Sequence, residues 1–153
     1  MTRRVFISYQ HADLMKAHGL NLMTYNKNVD VDFTGRHLLG PVKSHNPDYI
    51  IQKIKEKIRG SSATIVLIGA QTSESAWVDK EIQWSREAGK GVVGIRIDPD
   101  ASVPDALVDC GAEVLDWFKP DDVQQFDEAI ERAIAATARA VSMPKNTYST
   151  CTR

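Results

Sequence analysis

The chain of 153 residues is long enough for one domain with a single substantial core. Hydrophobic residues make up 42% and charged residues 25%, and the formal net charge of −1 argues against a broad basic surface for nucleic acid or anionic membranes. No apolar run approaches the roughly 20 residues of a membrane-spanning helix, and the first residues are too short and too strand-like for a signal peptide. With two cysteines and no disulfide framework, the sequence predicts a cytoplasmic protein without nucleic-acid or membrane partners.

Apolar runs and helical patterns alternate from the start of the chain. Residues 3–9 are apolar at nearly every position, which indicates a strand covered on both faces. Asp13 is placed to cap a helix that extends to about residue 26, and residues 29–33 alternate like a half-buried strand. Residues 34–46 then form a loop-like stretch with two glycines and no clear period. Loops of this length in compact domains are often functional.

The second half of the chain continues this alternation. Asn46 and Pro47 form a favourable helix start, because asparagine caps and proline fits the first turn, and Gly60 ends that helix. The elements predicted from here on are a helix over residues 47–59, a strand over 63–69, a helix over 76–88, strands over 91–98 and 112–117 with one helical turn near 104–108 between them, and a last helix over 121–141.

Strands that alternate with helices predict a parallel α/β sheet, since right-handed crossovers place helices on both of its faces. Five strands in a chain of this length fit a flavodoxin-like, doubly wound sheet with the order 2-1-3-4-5. We expect a single domain over residues 1–142 and a flexible C-terminal tail over 143–153, which is polar and lacks periodicity. In that order a ligand binds beyond the carboxyl ends of strands 1 and 3, beside residues 8–13 and 69–77.

A carboxylate interrupts the apolar side of the helix predicted over residues 76–88. At about 100° per residue, Glu81 falls on the same side as Trp77 and Trp84, while most of the charged residues lie opposite. A buried carboxylate without a partner costs several kcal/mol, so Glu81 should have a partner, a pocket or a task. A salt bridge to a nearby lysine or arginine, such as Arg96, is a purely structural explanation. The crevice expected at the sheet edge lies about one helical turn away, which favours a functional one.

Several functions that a crevice at this position often has require sequence motifs that are absent here. Strand 3 ends without the aspartate of a phosphorylated receiver, and the turn after strand 1 has no glycine for a flavin phosphate. Nucleotide-binding glycine motifs and a serine-hydrolase elbow are absent, and the four histidines show no metal-ligand spacing, so we expect no metal. A single carboxylate beside aromatic rings suits cleavage of an N-glycosidic bond, whose oxocarbenium-like transition state it stabilises.

Three segments form an ordered set of motifs. RRVFISYQHAD (residues 3–13) has a strand ending in Phe-Ile-Ser-Tyr, and VLIGAQTSESAWVDKEI (66–82) has a tryptophan followed four residues later by glutamate. GKGVVGIRID (89–98) forms the next strand. Together they resemble the TIR-like domain family, most closely the ThsB component of the Thoeris anti-phage defence system, over about the first 100 residues. Val78, where many TIR enzymes have cysteine, and the loop after strand 2 depart from the family pattern.

The resemblance implies a flavodoxin-like fold and an NAD⁺ glycohydrolase or ADP-ribosyl cyclase. Such an enzyme cleaves the nicotinamide N-glycosidic bond and makes an ADP-ribose-derived signal for a separate effector protein in anti-phage defence. NAD⁺ is then a substrate, no cofactor is needed, and self-association is a known property of the family. The resemblance assigns catalysis to Glu81. The residues expected to shape the nucleotide site are Phe6, Ser8, Tyr9, His11 and Trp77.

Two other functions are compatible with the sequence. Nucleoside deoxyribosyltransferases share the flavodoxin-like architecture and a catalytic glutamate, and transfer between nucleobases without NAD⁺ turnover would identify one. A non-catalytic TIR scaffold would instead assemble with other proteins. The basic residues in the loop after strand 2 can contact a pyrophosphate or simply be solvated. These residues are Arg36, His37, Lys43 and His45.

Overall fold

The computed structural model describes residues 3–9, 33–35 and 47–142 of the chain. Its strands are β1 (Arg3–Ser8), β2 (Phe33–Gly35), β3 (Ala63–Ile68), β4 (Gly91–Arg96) and β5 (Glu113–Asp116). Its helices are α1 (Pro47–Arg59), α2 (Ala76–Glu87), α3 (Asp105–Asp109), α4 (Pro120–Val123) and α5 (Phe126–Ser142).

The strands of these ranges form one parallel sheet in the order β2-β1-β3-β4-β5. The prediction of a parallel α/β fold is confirmed. β2 begins at Phe33, the last residue of the strand predicted over 29–33, and the rest of that strand lies outside the described residues. The helix predicted after β1, most of the loop over 34–46 and the tail over 143–153 also lie outside them. In the described part of the chain, no helix is long and apolar enough to cross a bilayer.

β3 is buried along its whole length, and its alternating side chains contribute to two separate core layers. Ile65 and Leu67 pack on the side of α5, where Phe126 joins the same cluster. Val66 packs on the opposite side, against Val78 of α2. Each large apolar side chain removed from water in this way contributes about 1.5–3 kcal/mol. The two layers fix α2 and α5 on opposite faces of the sheet.

The last helix is interrupted, and the prediction of one continuous helix over residues 121–141 is wrong in this respect. α4 ends at Val123 and α5 begins at Phe126. The Asp122 carboxylate accepts a hydrogen bond from the backbone N–H of Asp116 (2.8 Å), which ties α4 to the end of β5. Phe126 is only 1% exposed because it packs under the sheet. The chain turns between the two helices so that both contacts form.

Gly91, at the start of β4, allows the sheet to approach α5 closely. A Cβ atom there would lie 2.7 Å from the backbone carbonyl carbon of Ala133, closer than Cβ atoms come in real proteins. We therefore expect Gly91→Ala to lower the free energy of unfolding by about 1–3 kcal/mol, measured by urea denaturation. Gly94→Ala is the control, because its added Cβ would meet side-chain methyl groups of Ile68, Leu107 and Val114 at 3.0, 3.1 and 3.2 Å, which can shift more easily than backbone. A smaller loss for Gly91→Ala than for Gly94→Ala would contradict this account.

Candidate functional site

Two hydroxyl groups fix the connection between β3 and α2. Thr72, fully buried, accepts a hydrogen bond at Oγ1 from the backbone N–H of Gly69 (2.8 Å) and donates to a β3 carbonyl (3.2 Å). Ser75 caps the helix, since its Oγ accepts a hydrogen bond from the backbone N–H of Val78 (3.3 Å). These bonds set the point at which α2 leaves the carboxyl edge of the sheet, and with it the direction in which Glu81 points.

Glu81 lies on the inner side of α2 and contacts β1. Its side chain is buried, and its Oε1 accepts a hydrogen bond from the Oγ of Ser8, which is also buried, at 2.8 Å. Among the described residues, no lysine or arginine forms an ion pair with this carboxylate. Arg96 binds Asp116 instead, through two hydrogen bonds of 2.8 and 3.2 Å. The structural explanation by a Glu81–Arg96 salt bridge is therefore wrong.

The surroundings of Glu81 shift its protonation equilibrium towards the neutral acid. Burial raises the pKa of Glu81 from 4.5 to about 7, and the hydrogen bond from Ser8 opposes this rise because it stabilises the carboxylate. The pKa of Tyr9 is raised as well, first by burial and then by the negative charge of Glu81. Near neutral pH, Glu81 is present in both forms, so a positive charge brought beside it would favour the carboxylate.

The two tryptophans of α2 lie next to each other but differ in their exposure. Trp77, one turn before Glu81, is 45% exposed, and the Lys80 ammonium lies 5.5 Å from the centre of its ring. The ring of Trp84 meets that of Trp77 edge to face, with the centres 6.1 Å apart, and packs against the cluster around Phe6. Trp77 is thus accessible to a ligand, whereas Trp84 contributes to the core.

The other residues expected to shape the nucleotide site are distributed over both faces of the sheet. Phe6 is 1% exposed and packs against α1, so it belongs to the core next to the site and is not open to a ligand. Tyr9 follows β1 and packs against the cluster on the α5 side. His11 lies outside the described residues, as do the other three histidines. Within the described ranges, no three potential metal ligands lie together. The structure therefore brings Ser8 and Glu81 together and leaves Trp77 at the surface nearby.

Sequence reasoning missed two buried hydroxyl groups beneath Glu81. Thr64 of β3 and Ser85 of α2 are both fully buried, and their hydroxyl oxygens are 2.7 Å apart. The sequence contains a partial signal, because Ser85 follows Glu81 by four residues and falls on the same inner side of the helix. Its partner depends on how α2 sits over the sheet, which the periodicity does not reveal.

The family model of the Thoeris protein ThsB, TIR-like domain, matches residues 6–102, more than half of the chain. The chain belongs to this family. The matched segment includes Ser8, Trp77 and Glu81, so the buried carboxylate and its hydrogen-bond donor both lie within the ThsB TIR-like domain. No curated protein sequence matches the chain significantly.

Solved structures of a TIR domain, an N-glycosidase and a SEFIR domain share the fold of this ThsB TIR-like domain. The TIR domain of a Toll-related receptor from Hydra magnipapillata is 20% identical, with a TM-score of 0.56, over 88% of this chain and 99% of that one. The CMP N-glycosidase of Clostridium botulinum is 16% identical, with a TM-score of 0.54, over 82% and 99%. A prokaryotic SEFIR domain is 12% identical, with a TM-score of 0.53, over 87% and 99%. At these identities the likeness shows the fold.

Proposed function

We propose that this ThsB TIR-like domain cleaves the N-glycosidic bond between nicotinamide and ribose in NAD⁺, with Glu81 as its catalytic residue. The observation that supports this most is the buried Glu81 carboxylate, which receives a hydrogen bond from Ser8 and has no cationic partner among the described residues. A buried carboxylate without a cationic partner destabilises the folded protein unless a ligand supplies the missing positive charge. The oxidised nicotinamide ring and the ribose of the transition state both carry one.

Glu81 acts by stabilising the positive charge that develops on the ribose. As the bond from C1′ to the nicotinamide nitrogen breaks, its electron pair goes to the ring, and the positive charge moves to the sugar. The carboxylate accepts hydrogen bonds from ribose hydroxyls and stabilises this oxocarbenium-like sugar. Nicotinamide leaves as a neutral molecule, so no general acid is needed. Attack of water on C1′ then gives ADP-ribose and a proton, whereas attack by a group of the same nucleotide gives a cyclic product.

Membership of the ThsB family supports a role in defence signalling. We propose that the product is an ADP-ribose-derived signal, that a separate effector protein senses it, and that the domain spans residues 1–142 with a tail over 143–153. Phe6, Ser8, Tyr9, His11 and Trp77 would shape the nucleotide site, and copies of the chain would associate with one another. The likeness in fold to a CMP N-glycosidase fits the same bond class, and it favours nucleotide N-glycosidic hydrolysis as a second candidate.

A substrate panel separates these functions. Purified protein is incubated with NAD⁺, with CMP and with a deoxynucleoside plus a free base, and the products are identified by mass spectrometry. Nicotinamide with linear, cyclic or conjugated ADP-ribose supports the proposal, and cytosine from CMP supports the second candidate. Base exchange would indicate a deoxyribosyltransferase. No turnover of any substrate, at protein concentrations that permit assembly, would favour the scaffold.

The pH dependence of NAD⁺ cleavage should follow the ionisation of Glu81. The reaction needs the carboxylate, so we expect kcat/KM to be half-maximal near pH 7, where burial places its pKa, and to fall at lower pH. The acidic limb of kcat should lie at lower pH, because the bound nicotinamide cation favours the carboxylate. Nicotinamide release measured from about pH 5 to about pH 9 tests this. A profile without an acidic limb would contradict a catalytic role for Glu81.

A further inference from the structure

Two hydroxyl contacts, one above the other, join α2 to the sheet beneath it. The upper contact is the hydrogen bond from Ser8 of β1 to the Glu81 side chain (2.8 Å). The lower contact joins Thr64 of β3 to Ser85 of α2, with the two oxygens 2.7 Å apart. Ser85 also donates to the backbone carbonyl of Glu81 at 2.7 Å. Both contacts therefore end on Glu81, one on its side chain and one on its backbone.

The direction of the lower contact follows from the number of protons. A hydroxyl group has one proton to donate. Ser85 uses its proton for the Glu81 carbonyl, so in the bond between the two hydroxyls Thr64 must be the donor and Ser85 the acceptor. The result is a buried chain of hydrogen bonds from Thr64 through Ser85 to the backbone of Glu81. This chain links the central strand to the residue whose side chain Ser8 holds.

The spacings along helix and strand match, so the two contacts fix one position of α2. Glu81 and Ser85 are four residues apart, a rise of about 6 Å along a helix. Ser8 pairs with Val66, two residues beyond Thr64, a distance of about 6.6 Å along a strand. A shift or rotation of α2 by one residue would break both contacts together. Apolar packing alone does not select one position so sharply, because it lacks direction.

Buried hydroxyl groups are not the residues that stability alone would favour here. A serine that donates to the carbonyl four residues earlier slightly destabilises a helix. Replacing two hydrogen-bonded partners by apolar groups of the same shape is nearly neutral for stability. Thr64 and Ser85 lie among apolar core residues and are both fully buried. Their hydroxyl groups add a directional contact at Glu81, a helix residue that carries a buried carboxylate.

We propose that Thr64 and Ser85 are positioning residues, which hold α2 so that the Glu81 carboxylate stays within hydrogen-bond distance of Ser8. They touch no substrate and act only through Glu81. Their effect on catalysis rests on the function proposed above, whereas their effect on the position of Glu81 does not. The two effects therefore need separate measurements.

The effect of Thr64 and Ser85 on catalysis is measured with two kinds of variant. One removes a hydroxyl group and nearly keeps the shape of the side chain, and the other keeps the hydroxyl group. Thr64→Val and the double variant Thr64→Val/Ser85→Ala keep the shape and should lower kcat about tenfold, with KM changed less than about twofold. Thr64→Ser keeps the donor and should retain most of the activity. Ser61→Ala is the matched control, because Ser61 is buried and donates to the Lys57 carbonyl (2.9 Å) at the far end of α1. A wild-type kcat in Thr64→Val would overturn the proposed effect on catalysis. So would a loss of kcat in Thr64→Ser and Ser61→Ala as large as that in Thr64→Val.

The position of Glu81 is measured without any activity, by titrating its carboxyl carbon with NMR. In the otherwise native protein, Ser8→Ala should raise the pKa of Glu81, because the carboxylate loses a hydrogen bond. If Thr64 and Ser85 position Glu81, the same Ser8→Ala change should have little effect in the Thr64→Val/Ser85→Ala background. An undiminished Ser8→Ala effect in that background would overturn the proposal even in an active enzyme. If Ser8→Ala no longer raised the pKa of Glu81 in that background, and the wild-type protein cleaved no NAD⁺, the positioning role would be supported and the proposed function rejected.

Discussion

Replacing Glu81 by Gln should lower kcat/KM for NAD⁺ by about 10³-fold or more, while the protein keeps its fold. Gln has nearly the shape of Glu and can still accept the Ser8 hydrogen bond, so the packing of α2 is preserved. It lacks the negative charge that stabilises the ribose in the transition state. Release of nicotinamide from NAD⁺, followed over time by liquid chromatography, measures the effect.

Glu87→Gln provides the control for this experiment. Glu87 lies on the same helix and is exposed, so the same chemical change there should leave nicotinamide release unchanged. If Glu81→Gln and the wild-type protein released nicotinamide at the same rate, Glu81 would have no part in the chemistry. If Glu87→Gln lost activity as well, the loss would reflect a general disturbance of α2 and not the charge at Glu81.

The second large effect concerns stability, and it runs opposite to activity. The pKa of Glu81 is about 7 in the folded protein, compared with the ordinary value of 4.5 expected in the unfolded chain. The folded state therefore binds the proton of the Glu81 carboxyl group more tightly. Its contribution to stability is therefore fully present below about pH 4.5 and is lost as the pH rises through about 7. The total loss amounts to about 3–4 kcal/mol, since each pH unit between the two pKa values corresponds to about 1.4 kcal/mol.

Glu81→Gln removes this titration, so its free energy of unfolding should not show the same decline. Relative to the variant, the wild-type protein should lose up to about 3 kcal/mol between about pH 4.5 and about pH 8. Urea denaturation of both proteins at several pH values measures the difference, and Glu87→Gln should follow the wild type. Parallel curves for the wild type and Glu81→Gln would show that Glu81 has the same pKa in both states. The expected result is a site at which activity is retained at the expense of stability.

The inward position of Glu81 could be predicted because it depends on local geometry alone. A period of about 100° per residue places it beside Val78 and Ile82, and the structure buries all three. Its partner could not be predicted. Ser8 lies 73 residues earlier, and the contact depends on the pairing of β1 with β3 and on the position of α2 above them. The same reason explains why Arg96 was a plausible but wrong partner, because only the sheet shows that it faces Asp116.

The helices illustrate the same division between local and non-local information. α2 begins at Ala76, as predicted, because Ser75 is a local cap whose effect extends over only one turn. The break between α4 and α5 was missed because it depends on a hydrogen bond between Asp122 and the backbone of Asp116 on a different element. Apolar periodicity continues across that break, so the pattern of residues 121–141 looks like one helix. A side chain that binds a neighbouring strand outweighs the local preference.

The paired indole rings of α2 give the site an optical signal, in addition to the emission of the third tryptophan, Trp117, which packs against the cluster on the α5 side. Trp77 is open to solvent and Trp84 is packed against the core, with their ring centres 6.1 Å apart. Tryptophan emission depends on the polarity around the ring, so the two contribute to different parts of the spectrum. A planar nucleobase that stacked on Trp77 would quench the outer ring and leave the inner one emitting. Entry of a nucleotide can therefore be followed without any dye or chemical label.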